Sequence, residues 1–244
     1  MGSPRFGSYT TARVTGGRVE RAERHAARLC RDAARLGLPQ PGRIEVEALL
    51  TRSSRSAFGA GDGILRIEWS RGEDSSPELM AIPRALGPEP DRWRAGISKA
   101  THPGPGQRHN TKHVNVAAYD LARAEVDQSQ FDEVLLFDSD GLLVEGGRSN
   151  FILVTSSGRL VTPALELGAV EGLGLTIVLE NRPEIHFAKL TQKDIASAQE
   201  LMSVNSVRGV VPIVELDGRP VADGQPGPWS RRLRNLFHPK PRNP

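Results

Sequence analysis

KHVNVAAYDLARAEVDQSQFDEVLLFDSDGLLVEGGRSNFILVTSSGRLVTP, residues 112–163, is the stretch that decides the fold. Lys112 opens it, directly after a Gly- and Pro-rich segment. A helical run follows the lysine. Residues 133–137 (EVLLF) then form an apolar run of strand length, Ser139-Asp140-Gly141 makes a tight turn, and a second strand ends on Glu145. Gly146-Gly147-Arg148-Ser149-Asn150 interrupts the pattern before a strand at 151–155. A lysine and a carboxylate delivered to one place by a hairpin suggest a carbonyl cofactor. Lysine bonds an aldehyde, and a carboxylate holds a pyridinium nitrogen protonated.

Outward from this stretch, the chain alternates helices and strands. Residues 9–15 alternate and are rich in β-branched side chains, so they read as a strand, with Gly16-Gly17 as a hairpin turn. Residues 20–36 carry Ala22, Ala26, Leu29, Ala33 and Leu36 at helical spacing, stopped by Gly37. Arg21, Arg24, Arg28, Arg31 and Arg35 run down another side, the pattern of a solvated basic face. A second helix is expected at 44–57, and strands at 63–69 and 78–85. Residues 102–111 connect a small α+β domain, 1–101, to a larger domain, 112–244. Beyond Pro163, a glycine-punctuated loop leads into a helix. Strands follow at 184–190, 201–204 and 210–215, with a short helix at 194–198, a turn at 216–219 and a last helix near 229–237. The tail, 238–244, reads as frayed.

A chain of 244 residues with 38% hydrophobic and 25% charged residues suits a globular protein with a sizeable core. No apolar run approaches a membrane span, and MGSPRFGSYTT carries no signal-peptide pattern. Cys30 is the sole cysteine, so there is no internal disulfide and no cysteine cluster for a metal. A cytoplasmic protein without a metal site is the expectation. The net charge is +3, and the arginines are scattered without interleaved aromatics. A small anionic substrate fits that balance better than nucleic acid. Lysines are scarce, and only Lys99, Lys112, Lys189, Lys193 and Lys240 could bond an aldehyde.

Taken together, these residues resemble the class IV, or fold-type IV, pyridoxal-phosphate enzymes. The matching positions are Lys112 and Asn115 in K-x-x-N, Asp132-Glu133, Asp138 and Gly141 in D-x-x-G, Glu145 and Asn150, and Thr162-Pro163. The resemblance implies a two-domain α/β fold with pyridoxal 5'-phosphate held between the domains, and a homodimer. It makes Lys112 the residue that bonds the cofactor and then moves protons, and Glu145 the partner of the ring nitrogen. His25-Ala26-Ala27-Arg28-Leu29 matches H-x-x-R-L, which gives Arg28 to the phosphate. Gly172-Leu173-Gly174-Leu175 opens a helix, so the N–H groups of Leu173 and Gly174 are further phosphate donors. Asn205-Ser206 matches the second phosphate loop. Asn150 is expected to bond backbone near the cofactor.

Tyr9-Thr10-Thr11-Ala12-Arg13 looks like the F-T-T-A-R form of 4-amino-4-deoxychorismate lyase. That form implies release of 4-aminobenzoate and pyruvate, a step of folate synthesis. Thr11 would assist a proton beside Lys112, and Arg13 would meet a substrate carboxylate. The bland alternative makes both threonines ordinary strand residues. Two other readings stand beside the lyase. One is an aminotransferase on the same scaffold, acting on branched-chain or D-amino acids. The other is a catalytically degenerate paralogue, since residues 172–175 lack the family's usual threonine and arginine and only six residues precede Gly7.

Overall fold

The structure, a computed structural model, describes residues 5–72, 75–106 and 110–237. The chain falls into two units. The first comprises Met1–Pro88 and Thr111–Val116, and the second Glu89–Asn110 and Ala117–Pro244. The expected tail at 238–244 lies outside the described residues.

In the first unit the expected alternation extends over β1 (Phe6–Thr15). A turn through Gly16 and Gly17, both at positive φ, returns it to β2 (Arg18–Val19). Helices α1 (Ala22–Arg35) and α2 (Arg43–Phe58) follow, then β3 (Gly63–Arg71) and β4 (Glu78–Arg84). The strands form one antiparallel sheet in the order β2-β1-β3-β4. Period-two alternation gives this sheet two faces. Val14 on β1 and Leu65 and Ile67 on β3 pack with Ala26 and Leu29 of α1 and Val46, Leu49 and Leu50 of α2. Tyr9, Thr11 and Arg13 therefore lie on the opposite face, register-paired with Glu68, Arg66 and Ile64.

The second unit begins with β5 (Trp93–Thr101), which was not expected from the sequence. It continues through α3 (Ala117–Asp127), β6 (Glu133–Phe137), β7 (Leu143–Gly146), β8 (Asn150–Val154) and β9 (Leu160–Pro163). Then come α4 (Leu173–Asn181), β10 (His186–Ala188), α5 (Gln192–Ala196), β11 (Glu200–Asn205), β12 (Gly209–Leu216), β13 (Arg219–Pro220) and α6 (Pro228–Arg234). One nine-stranded sheet runs β10-β9-β8-β11-β12-β5-β6-β7, with β13 paired to β12. Both faces are covered. Leu135, Phe151, Leu153 and Leu201 pack on one side with Ile195 of α5, while Ile152, Val154, Met202 and Val204 pack on the other with α4 and α6. Two covered faces explain why EVLLF and FILV read as unbroken apolar runs.

The division between units falls elsewhere than at residues 101 and 112. Trp93–Thr101 is hydrogen-bonded in parallel between β12 and β6, so these residues belong to the large sheet. The expected connector stays with that unit as far as Asn110, whose Nδ2 donates to the carbonyls of Leu165 and Ala169. Thr111–Val116 instead joins β1. Tyr9 N–H donates to Lys112 O at 2.8 Å, and Val114 N–H to Gly7 O at 2.9 Å.

Candidate functional site

Each unit gathers its own set of the expected residues. Lys112, Arg28, Thr11 and Arg13 lie in the first; Glu145, Asn150, Leu173, Gly174, Asn205 and Ser206 lie in the second.

In the first unit Lys112 sits on a backbone held at both ends. Its carbonyl takes the Tyr9 N–H, and its own N–H donates to Asp32 Oδ2 at 3.0 Å. Three residues on, Asn115 adopts φ 56° and donates from Nδ2 to the carbonyl of Arg5. Asparagine tolerates that left-handed backbone, which accounts for its place in K-x-x-N. The Lys112 side chain reaches over Tyr9, with Nζ 4.9 Å from the ring centroid. Thr11 shares the sheet face of Tyr9. Thr10 does not. It is buried against α1, where its Oγ1 lies 2.6 Å from His25 Nδ1. Burial, with the nearby charges of Arg28 and Arg21, holds His25 neutral by lowering its pKa to about 3.

Arg28 leaves the basic face that its neighbours suggest. It is buried, and its Nε donates to Asp32 Oδ2 at 3.3 Å. Its Nη2 is buried with no hydrogen-bond partner. A buried guanidinium donor left open on one edge fits an anion such as a phosphate. Asp32, fully buried, therefore ties Arg28 and the Lys112 backbone to one carboxylate. Arg13 is engaged within the chain, its Nε 3.4 Å from Glu20 Oε1 and 3.3 Å from Thr15 Oγ1. Arg66, unremarked in the sequence, occupies the Thr11 face with its guanidinium 3.6 Å from the Tyr9 ring centroid. It is paired with Glu68.

In the second unit Glu145 is buried on β7 and ringed by donors. Oε1 accepts from the Tyr119 hydroxyl and, at 2.9 Å, from the Val170 N–H. His102 Nε2 lies 3.5 Å from the same oxygen. Oε2 receives only a long 3.4 Å bond from Asn150 Nδ2. Asn150 also donates to Val170 O at 3.0 Å. Its Oδ1 lies against Gly172, where an added Cβ would be 2.0 Å away. Any side chain at 172 would displace Asn150, so glycine is required by close approach.

Gly172 is the N-cap of α4 and brings no side-chain capping bond. The N–H groups of the helix's first turn have no partners within the helix, which suits an anion. The structure brings this end against the other expected phosphate loop. A Cβ on Gly174 would lie 2.6 Å from the Asn205 carbonyl carbon. Asn205 Oδ1 caps its own turn, accepting from the N–H groups of Val207 at 3.0 Å and Arg208 at 2.8 Å. Its Nδ2, the Ser206 hydroxyl and the loop backbone are the donors this loop offers a phosphate. Asp32, His102 and Tyr119 carry no motif signal, because each meets its partner only through the fold.

Among the described residues, no group of three or more His, Cys, Asp or Glu could hold a metal ion, and no helix is long and apolar enough to cross a membrane. A probable branched-chain-amino-acid aminotransferase of Aquifex aeolicus is 27% identical over 122 residues, 48% of this chain and 39% of that protein. The chain thus spans well under half the length of that relative. A D-alanine aminotransferase of Bacillus licheniformis is 21% identical over 95% of this chain and 86% of its own. Among solved structures, an aminotransferase from Brucella abortus bound to the co-factor PLP superposes with a TM-score of 0.80 at 24% identity. That superposition covers 95% of this chain and 87% of the other. These relatives carry aminotransferase names, and the finer likeness to 4-amino-4-deoxychorismate lyase finds no counterpart in them. The family model for amino-transferase class IV matches residues 7–216, and the chain belongs to that family.

Proposed function

We propose that this chain is a pyridoxal-phosphate-dependent aminotransferase acting on a small branched-chain or D-amino acid. The family match and the names of the relatives support the reaction class. The cofactor rests on one observation, the buried Arg28 Nη2 without a partner beside an Asp32 that also holds Lys112. When bound, the cofactor supplies an aldehyde for amine exchange and a ring that stores electrons as a substrate C–H bond breaks. Arg28 is the candidate phosphate donor of the first unit, and the N–H groups of Leu173 and Gly174 with the side chains of Asn205 and Ser206 are those of the second. Glu145 would keep the ring nitrogen protonated. Lys112 would hold the cofactor through its amine and, once that amine is free, would serve as the general base for the proton on the substrate carbon. Arg13, next to Thr11 on the same sheet face, would meet a substrate carboxylate by exchanging its contact with Glu20. The resemblance to the family further implies a homodimer.

Purified protein mixed with pyridoxal phosphate should gain a visible absorption band, and borohydride should fix the cofactor on Lys112. A label on Lys99 or Lys189 would sink the site assignment. Amino-donor panels with 2-oxoglutarate should then yield the matching keto acid.

A lyase remains the second reading, favoured by one observation: Thr11 shares a sheet face with Tyr9, whose ring lies under Lys112 Nζ. A hydroxyl there is suited to passing a proton to a departing oxygen, an effect worth about 10²–10⁴-fold. Release of 4-aminobenzoate and pyruvate without a keto-acid acceptor, lost in Thr11→Val and retained in Thr11→Ser, would replace the aminotransferase by the lyase. A protein that binds the cofactor and does neither reaction is the degenerate paralogue.

A further inference from the structure

The chain contains only two tyrosines, and each lies against an expected cofactor residue. Tyr9 is beneath Lys112, and Tyr119 bonds Glu145. Behind Tyr119 stands His102, almost completely buried, with Nε2 3.0 Å from the tyrosine hydroxyl. The directions of the bonds that link His102, Tyr119 and Glu145 can be assigned. Gly104 N–H donates to His102 Nδ1 at 3.0 Å, so Nδ1 carries no proton and the neutral ring carries its hydrogen on Nε2. Nε2–H then points to the Tyr119 oxygen, and the Tyr119 hydroxyl is left to donate to Glu145 Oε1. The result is a one-way chain from a backbone amide to the carboxylate, in which each bond polarises the next.

Three elements build it. His102 follows β5 and extends its pairing, donating its N–H to Phe137 O at 2.8 Å. Tyr119 comes from α3 and Glu145 from β7. The two oxygens of Glu145 are consequently unequal. Oε1 is taken by Tyr119 and Val170, with His102 close by, while Oε2 has only the long bond from Asn150.

We propose that His102 and Tyr119 are positioning residues for Glu145, occupying Oε1 so that Oε2 is presented to the ring nitrogen of the cofactor. This rests on the proposed cofactor, and it goes further by naming the residues that hold its acidic partner. Neither touches the reacting atoms. Their effect passes through the orientation of one carboxylate.

Two readouts test it. In protein labelled with 15N-histidine and free of cofactor, long-range 1H–15N correlation should show His102 protonated on Nε2 only, with the assignment fixed by loss of that signal in His102→Gln. In the loaded protein, Tyr119→Phe should keep cofactor affinity near the unmodified value, displace the visible band, and lower kcat. Loss of one hydrogen bond to a charged group corresponds to about 10- to 100-fold. His102→Gln, which can still donate to Tyr119, should recover much of what His102→Ala loses. Uptake of cofactor by the unmodified protein is measured first. Failure to bind sinks the proposed function and this inference together. Uptake combined with an Nδ1-protonated His102, or with an unmoved band and turnover in Tyr119→Phe, sinks this inference alone. A variant that merely melts earlier, with band and kcat per loaded site unchanged, counts the same way.

Discussion

Arg28 and Glu145 divide binding from chemistry. The open Nη2 of Arg28 is a donor with no other buried partner, so its loss should be felt in affinity. Arg28→Ala should weaken pyridoxal phosphate by about 1.5–3 kcal/mol, the worth of a hydrogen bond to a charged group. Pyridoxal without the phosphate should bind both proteins alike. Glu145→Gln should retain the cofactor and slow turnover instead. Equal losses of affinity in the two variants, with kcat untouched, would erase the distinction. One turn before Arg28, His25 makes a separate statement about stability. Its folded pKa is lowered to about 3 from an ordinary 6.5, so the native ring stays neutral while the unfolded ring takes a proton. That stability is complete above pH 6.5 and drains away as pH falls towards 3, at about 1.4 kcal/mol per pH unit. Urea midpoints measured across this window should fall more steeply for the unmodified protein than for His25→Gln. Parallel slopes would mean that His25 titrates freely.

At the scale of elements, the segment Thr111–Val116 does most to set the lysine. Asn115 contributes a left-handed residue and a side-chain bond to the Arg5 carbonyl, and the two can be separated. Asn115→Gly keeps the backbone and loses the bond. Asn115→Ala loses both and adds about 1–2 kcal/mol of strain at positive φ. The alanine variant should therefore be the less stable of the two in urea, and the reverse order would show that the bond, not the backbone, matters. This segment was legible because K-x-x-N stands next to a Gly- and Pro-rich run. The strands 133–137 and 151–155 were legible for a different reason, being apolar on both faces. β5 was not. WRAGISKAT mixes charged, small and apolar residues, and its neighbours β12 and β6 are distant in sequence. Nothing local declares a strand whose partners are set by long-range parallel pairing. The same physics hid Asp32, which meets Lys112 across 80 residues, and Tyr119, which meets Glu145 across 26.

For the whole molecule, the division into units does not follow the order of the chain. The path enters the large sheet at β5, returns to the first unit for Thr111–Val116, and re-enters the second at α3. Lys112 is thus carried by the first unit, although elements of the second flank it in sequence. Its tethers run to β1 and α1 through Tyr9 N–H, Val114 N–H and Asp32. Proteins open in cooperative units, and an amide exchanges with the unit that protects it. The amides of Lys112 and Val114 should therefore exchange at the rate of β1, with Tyr9, and not with α3 or β6. Asn115→Ala should lower protection at Lys112, Val114 and Tyr9 while leaving Val134 and Leu135 of the large sheet unchanged. Free exchange across Thr111–Val116, or protection that follows β6, would detach the lysine from the first unit and with it the arrangement in which one buried carboxylate, Asp32, holds both Lys112 and Arg28.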